Sequence, residues 1–195
     1  EHELRTLVDD CTPAALLFDE NFTTRGRELT EHGNISVSLT WGAEENTYEA
    51  AVAGTQAPDV ADAPVPTPGQ DVPLVIIYTS GTTGTPKGVV HTIGSVAANV
   101  ENSAFAGDIS SSSVSLTVLP TFHVAGLHLF ANAALMHGGT AIVMSTFDPE
   151  ETLTALSDPT LGVTHFCGVP AHFQIMSTLP MFESAHLDGL VTAVG

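Results

Sequence analysis

Short apolar runs and stretches of helical period take turns along this chain, and that alternation leaves few folds open. Runs at residues 13–18, 35–39, 74–78, 114–119, 140–144, 163–166 and 190–194 have the length and residue content of strands. Between and around them, helical stretches are expected at 3–9, 22–32, 46–53, 93–105, 125–136, 149–156 and 170–178. Asp148, followed by Pro149, has the form of a helix start. Strands separated by single helices call for crossover connections, and therefore for a largely parallel sheet with both faces covered.

Residues 56–71 interrupt the pattern. The segment QAPDVADAPVPTPGQD carries four prolines and no apolar period, so it reads as a linker or surface loop between a leading βα segment (1–55) and a second α/β segment (72–195). With 195 residues, 43% of them hydrophobic, the chain can bury a sizeable core. No apolar run approaches the roughly 20 residues of a membrane-spanning helix, and the opening EHELR has neither the basic nor the apolar region of a signal peptide. Cys11 and Cys167 stand far apart without Cys-x-x-Cys spacing, which argues against a disulfide framework or zinc site and for a reduced, cytoplasmic setting. The 22 acidic against four basic side chains give a formal charge of -18. Such a chain suits a solubilising or salt-adapted surface. Nucleic acid and anionic lipid are held by clusters of Lys and Arg, so neither is expected as a partner.

Beside Arg5, Arg25 and Arg27, the remaining fixed cation is Lys87, the chain's one lysine. It lies in YTSGTTGTPKGVVHT (78–92), directly after the apolar run VPLVII (72–77). A loop at the carboxyl end of a parallel strand is where α/β sheets hold ligands. Glycines let the backbone approach an anion, and successive amides with hydroxyls form a nest for it. The segment does not match G-x-x-x-x-G-K-[ST], since Gly81 and Gly84 are separated by two residues and Pro86 and Gly88 flank the lysine. It does not match G-x-G-x-x-G either. A polar loop with its lysine in solvent is the plain alternative, and the concentration of glycines, hydroxyls and a rare cation weighs against it.

Tyr78-Thr-Ser-Gly-Thr-Thr-Gly-Thr-Pro-Lys-Gly-Val89 resembles, nearly letter for letter, the signature loop of the adenylate-forming superfamily. Leu119-Pro-Thr-Phe-His-Val-Ala-Gly-Leu127 is similar to that superfamily's second motif. Phe147-Asp-Pro-Glu150 and Gly168-Val-Pro170 stand at the spacings of its acyl-CoA synthetase branch, and residues 1–20 resemble the helix and strand that precede the linker. The resemblance implies an α/β fold of largely parallel sheets flanked by helices, part of a large amino-terminal domain. It implies a carboxylic acid and ATP giving an acyl-adenylate and pyrophosphate, followed by transfer of the acyl group to coenzyme A. Thr79, Ser80, Gly81, Thr82, Thr83, Gly84 and Lys87 would hold the phosphates, with Mg²⁺ supplying further charge and no metal ligand coming from the loop. Lys87 and His123 would be the catalytic side chains, His123 standing beside the acid pocket at the start of a helix that lines one wall.

The superfamily's later motifs for adenine, ribose and the final catalytic lysine do not occur in these residues. The expectation is a piece of a larger enzyme, inactive alone, that associates with itself or with the remainder. Transfer to a carrier-protein thiol, or a phosphate-binding remnant without the chemistry, are the alternatives. His91, His128, His137, His165 and His172 show no ligand spacing and read as surface or core residues.

Overall fold

The computed structural model describes residues 2–42, 47–54, 68–80 and 86–194. Two compact units emerge, one formed by Glu1–Thr67 with Tyr78–Val89, the other by Pro68–Ile77 with Val90–Gly195.

In the first unit, strands β1 (Ala15–Asp19) and β2 (Val37–Trp41) pair in parallel, from Ala15 opposite Val37 to Asp19 opposite Trp41. The connection is helical. Asp19 caps a single 3₁₀ turn over Glu20–Phe22 by accepting from the Asn21 amide at 2.9 Å, and helix α2 (Thr23–His32) follows. Helix α2 lies close on the strand because Gly26 has no side chain: a Cβ there would collide with the ring of Phe18. Helix α1 (His2–Cys11) precedes the strands and buries Val8; helix α3 (Thr47–Gly54) follows them. All of these elements lie within a few residues of their expected places.

The second unit contains a four-stranded parallel sheet in the order β6 (Thr140–Val143), β5 (Val114–Thr117), β7 (His165–Cys167), β8 (Thr192–Val194). Helices cover both faces, as a parallel sheet requires. Leu116 and Phe166 are opposite one another in register and face α6 (Pro149–Ser157) and α7 (Pro170–Ser177), packing with Leu153, Leu156 and Met176. On the other face Cys167 packs with Val96, Val100 and Ala104 of α4 (Ile93–Gly107) and with Ala133 and Ala134 of α5 (Ala131–Met136). Small polar residues fill the rest of that face. Ser115 and His165 are buried side by side, and the His165 ring donates from Nε2 to the Gly107 carbonyl at 2.7 Å.

Two elements differ from the sequence reading. The signature stretch does not run as loop from residue 80 to the helix: β3 (Pro73–Thr79) is followed by a second strand, β4 (Lys87–Thr92), and the two form their own small sheet. Lys87 is therefore the first residue of a strand, where the β-branched Val89, Val90 and Thr92 outweigh the neighbouring glycine. Thr92 closes β4 and starts α4 at once. It accepts from the Ser95 amide at 3.2 Å while Ser95 Oγ accepts from the Thr92 amide at 2.9 Å, a reciprocal cap. The second difference is the helix expected over 125–136, which divides into a π-helical turn at Ala125–Leu129 and α5 beginning at Ala131. Gly126 explains the local winding. Its backbone presses so closely on the Leu119 and Pro120 carbonyls that a Cβ would clash with both.

Candidate functional site

Apolar β3 delivers Thr79 and Ser80 to the mouth of the signature loop, and both are exposed there. Gly81, Thr82, Thr83 and Gly84 lie outside the described residues. Lys87 resumes the chain on β4, exposed, with its carbonyl accepting from Thr79 Oγ1 at 3.5 Å. The neck of the loop therefore holds two of the expected phosphate-binding hydroxyls and the cation within one turn of chain. Just below, the Tyr78 hydroxyl donates to Asp10 Oδ2 on α1 at 2.5 Å. That hydrogen bond pushes the Tyr78 phenol well above its ordinary range, with burial adding to it. Among the described residues no group of three or more His, Cys, Asp or Glu side chains could hold a metal ion.

His123 belongs to the second unit. The turn Pro120–His123 closes through the His123 amide on the Pro120 carbonyl (3.0 Å), and the His123 carbonyl accepts from the Leu127 amide (3.0 Å). Its ring is exposed and tilted against Phe122, with centroids 5.4 Å apart.

Beyond His123 the same segment walls a cavity of about 400 Å³. Val124, Ala125, His128 and Leu129 form one side; Ser95, Val96 and Asn99 of α4, with His91 at the end of β4, form the other. The spacing i, i+1, i+4, i+5 marks one face of a helix, and 95, 96, 99 does the same on α4. That periodicity was the available signal for His128, which the lack of ligand spacing had set aside with the other histidines. His128 is buried, 5% exposed, and tied down on three sides. Its Nδ1 accepts from Asn132 Nδ2 at 2.8 Å, its carbonyl accepts from Asn99 Nδ2 at 2.9 Å, and its ring lies 5.6 Å from that of His91. Burial, with the adjacent His91 as a lesser cause, holds its pKa below the usual imidazole range.

The two remaining landmarks meet in space. Asp148 caps α6 by accepting from the Glu151 amide at 2.9 Å, Pro170 opens α7, and the Phe147 ring stacks on His172 at 4.0 Å. Burial lowers the His172 pKa as well.

The chain matches the AMP-binding enzyme family over residues 1–194. It is 32% identical to indoleacetate–CoA ligase of Aromatoleum aromaticum over 191 residues, covering 96% of this chain and 36% of that protein. It is 37% identical to a feruloyl-CoA synthase of an Amycolatopsis species over 124 residues, covering 64% of this chain and 25% of that protein. Among solved structures, the inhibitor-bound amino-terminal domain of FACL13 from Mycobacterium tuberculosis superposes with a TM-score of 0.78 at 26% identity, over 97% of this chain and 46% of the other. ATP-bound MatB from Rhodopseudomonas palustris shares the fold, with a TM-score of 0.79 at 23% identity over 98% of this chain and 37% of the other. The chain thus spans about a third of the length of the first of these relatives. With its signature hairpin, its second motif beside a cavity and this match along almost every residue, the chain belongs to the AMP-binding enzyme family.

Proposed function

We propose that the protein carrying this chain is an ATP-dependent acid–CoA ligase, and that the chain supplies its phosphate loop and one wall of its acid pocket. A carboxylate oxygen attacks the α-phosphorus of ATP, the bond to the β-phosphate oxygen breaks, and pyrophosphate leaves. The thiolate of coenzyme A then attacks the acyl carbon of the adenylate, and AMP departs with the former carboxylate oxygen. The observation that carries this reading is the signature stretch Tyr78–Val89, mounted as a β-hairpin whose neck holds Thr79, Ser80 and the only lysine of a strongly acidic chain.

Pyrophosphate is a poor leaving group until its charge is met. Lys87, the hydroxyls of Thr79, Ser80, Thr82 and Thr83, and the amides of Gly81 and Gly84 are the donors that meet it. Mg²⁺, when bound, supplies the remaining positive charge. Mg²⁺ commonly keeps several waters and binds through substrate phosphates with few protein ligands. His123, exposed at the head of the segment that walls the cavity, orients the acid for attack. A carboxylic acid of fatty or aryl type is the substrate we favour: relatives named for indoleacetate, feruloyl and long-chain fatty acid substrates align here at 32%, 37% and 39% identity, beside one named for sulfoacetate at 40%. Among the described residues no helix is long and apolar enough to cross a membrane, and a cytoplasmic ligase is the reading we favour.

Lys87→Ala in the full-length protein tests the assignment. Loss of the one cation at the loop is expected to slow acid-dependent exchange of labelled pyrophosphate into ATP by about 10²–10³-fold, the range seen when one preorganised donor is removed. Its circular dichroism should be unchanged, since Lys87 is exposed. Exchange at the wild-type rate would remove Lys87 from the mechanism.

A further inference from the structure

His128 carries a donor that nothing in the described structure uses. The amide nitrogen of Asn132 can only donate, so Nδ1 of His128 accepts at 2.8 Å and the ring proton sits on Nε2. That Nε2 is buried and has no hydrogen-bond partner. Leaving a buried N–H without an acceptor costs free energy, and folded proteins rarely retain one without a reason. Two other polar groups on the cavity wall are engaged, Asn99 Nδ2 on the His128 carbonyl at 2.9 Å and Ser95 in the cap of α4, while the His91 ring lies 5.6 Å from that of His128. The segment bearing His128 is a π-helical turn, a rare winding that concentrates at functional sites.

We propose that His128 is a specificity-determining residue of the acid pocket: its Nε2–H donates to an ether, hydroxyl or carbonyl oxygen on the far part of the acid, and the preferred substrates are acids bearing such an oxygen. The inference rests on the reading, given above, that the segment from His123 walls the acid pocket. The neighbouring His91 ring, whose centroid is 5.6 Å away, lines the same cavity. Burial keeps His128 neutral near pH 7, so it offers one N–H and no charge, which suits an uncharged oxygen better than a second carboxylate.

The test uses the full-length protein and two acids of nearly equal shape, 3-(4-methoxyphenyl)propanoate and 3-(4-ethylphenyl)propanoate, which differ by an oxygen in place of a methylene. Acid-dependent pyrophosphate exchange gives kcat/KM for each. The wild type should prefer the methoxy acid by about tenfold, the discrimination one hydrogen bond supports. His128→Phe, which keeps a ring but no donor, should bring the ratio close to one, and His128→Gln, which restores an N–H, should recover part of the preference. Ala125→Leu, at an exposed position on the same wall, should lower kcat/KM for both aryl acids relative to propanoate, and it decides the placement of the pocket even where a His128 variant fails to fold. A wild-type ratio near one, a preference that survives in folded His128→Phe, or an Ala125→Leu variant with unaltered aryl selectivity would each overturn the inference while leaving the ligase reading intact. Exchange with no acid at all would overturn the ligase reading itself.

Discussion

His128 and His172 show how burial writes itself into single side chains. Both imidazoles have pKa values lowered by removal from water, so the folded state holds them neutral while the unfolded chain protonates them near their ordinary value of about 6.5. The sign follows from proton counting. Below that value the unfolded state binds more protons, so the stability they permit is present above pH ~6.5 and drains away as the pH falls. The thermal midpoint is therefore expected to fall between pH 7 and pH 5, and His128→Phe should make that fall shallower; an identical pH dependence in the two proteins would contradict the burial account. Lys87 stands at the other extreme, exposed at the neck of its hairpin and contributing charge where the chain has almost none. Composition marks Lys87 out at once, because it is the one lysine in a chain with 22 acidic residues and it stands beside glycines. The surroundings of His128 were hidden, since its partners Asn99, Asn132 and His91 come from parts of the chain that only folding brings together.

At the scale of elements, the parallel sheet of the second unit was readable because Leu116, Phe166 and their neighbours form short apolar runs bounded by turns. Asp148 could be read as a helix start for the same local reason, and it caps the Glu151 amide at 2.9 Å. The hairpin was misread where two tendencies compete. Gly88 beside Lys87 suggests loop, while the β-branched run after it pairs with β3 and wins. The π-helical turn was also illegible, because a period of 3.6 runs smoothly through residues 125–136 and nothing local announces that Gly126 must press on the Leu119 and Pro120 carbonyls. That contact yields a prediction. Gly126→Ala places a Cβ against two backbone oxygens, which cannot move as a flexible side chain would, and overpacking of this kind costs about 1–3 kcal/mol. Chemical denaturation should show the loss as a lower midpoint with an unchanged slope, and a midpoint equal to the wild type would show that the turn has room to relax.

For the whole molecule, each unit holds one of the features on which the proposed function rests: Tyr78–Val89 counts with the first, and the cavity with His91 and His128 belongs to the second. The chain spans 36% of the length of the indoleacetate–CoA ligase it resembles, and the activity proposed is that of a whole enzyme of that kind. What the reaction requires of these residues is specific. Donors at the loop must stabilise departing pyrophosphate, and the acid must be held so that its own oxygen attacks phosphorus. The measurement that bears most directly on that claim follows the oxygen. An aryl acid labelled with ¹⁸O in its carboxylate is incubated with the full-length protein, ATP and coenzyme A, and the phosphorus products are weighed by mass spectrometry. Attack on the α-phosphate predicts one ¹⁸O in each AMP formed and none in the pyrophosphate, whereas label appearing in inorganic phosphate alongside ADP would place the attack at the γ-phosphorus and contradict the account.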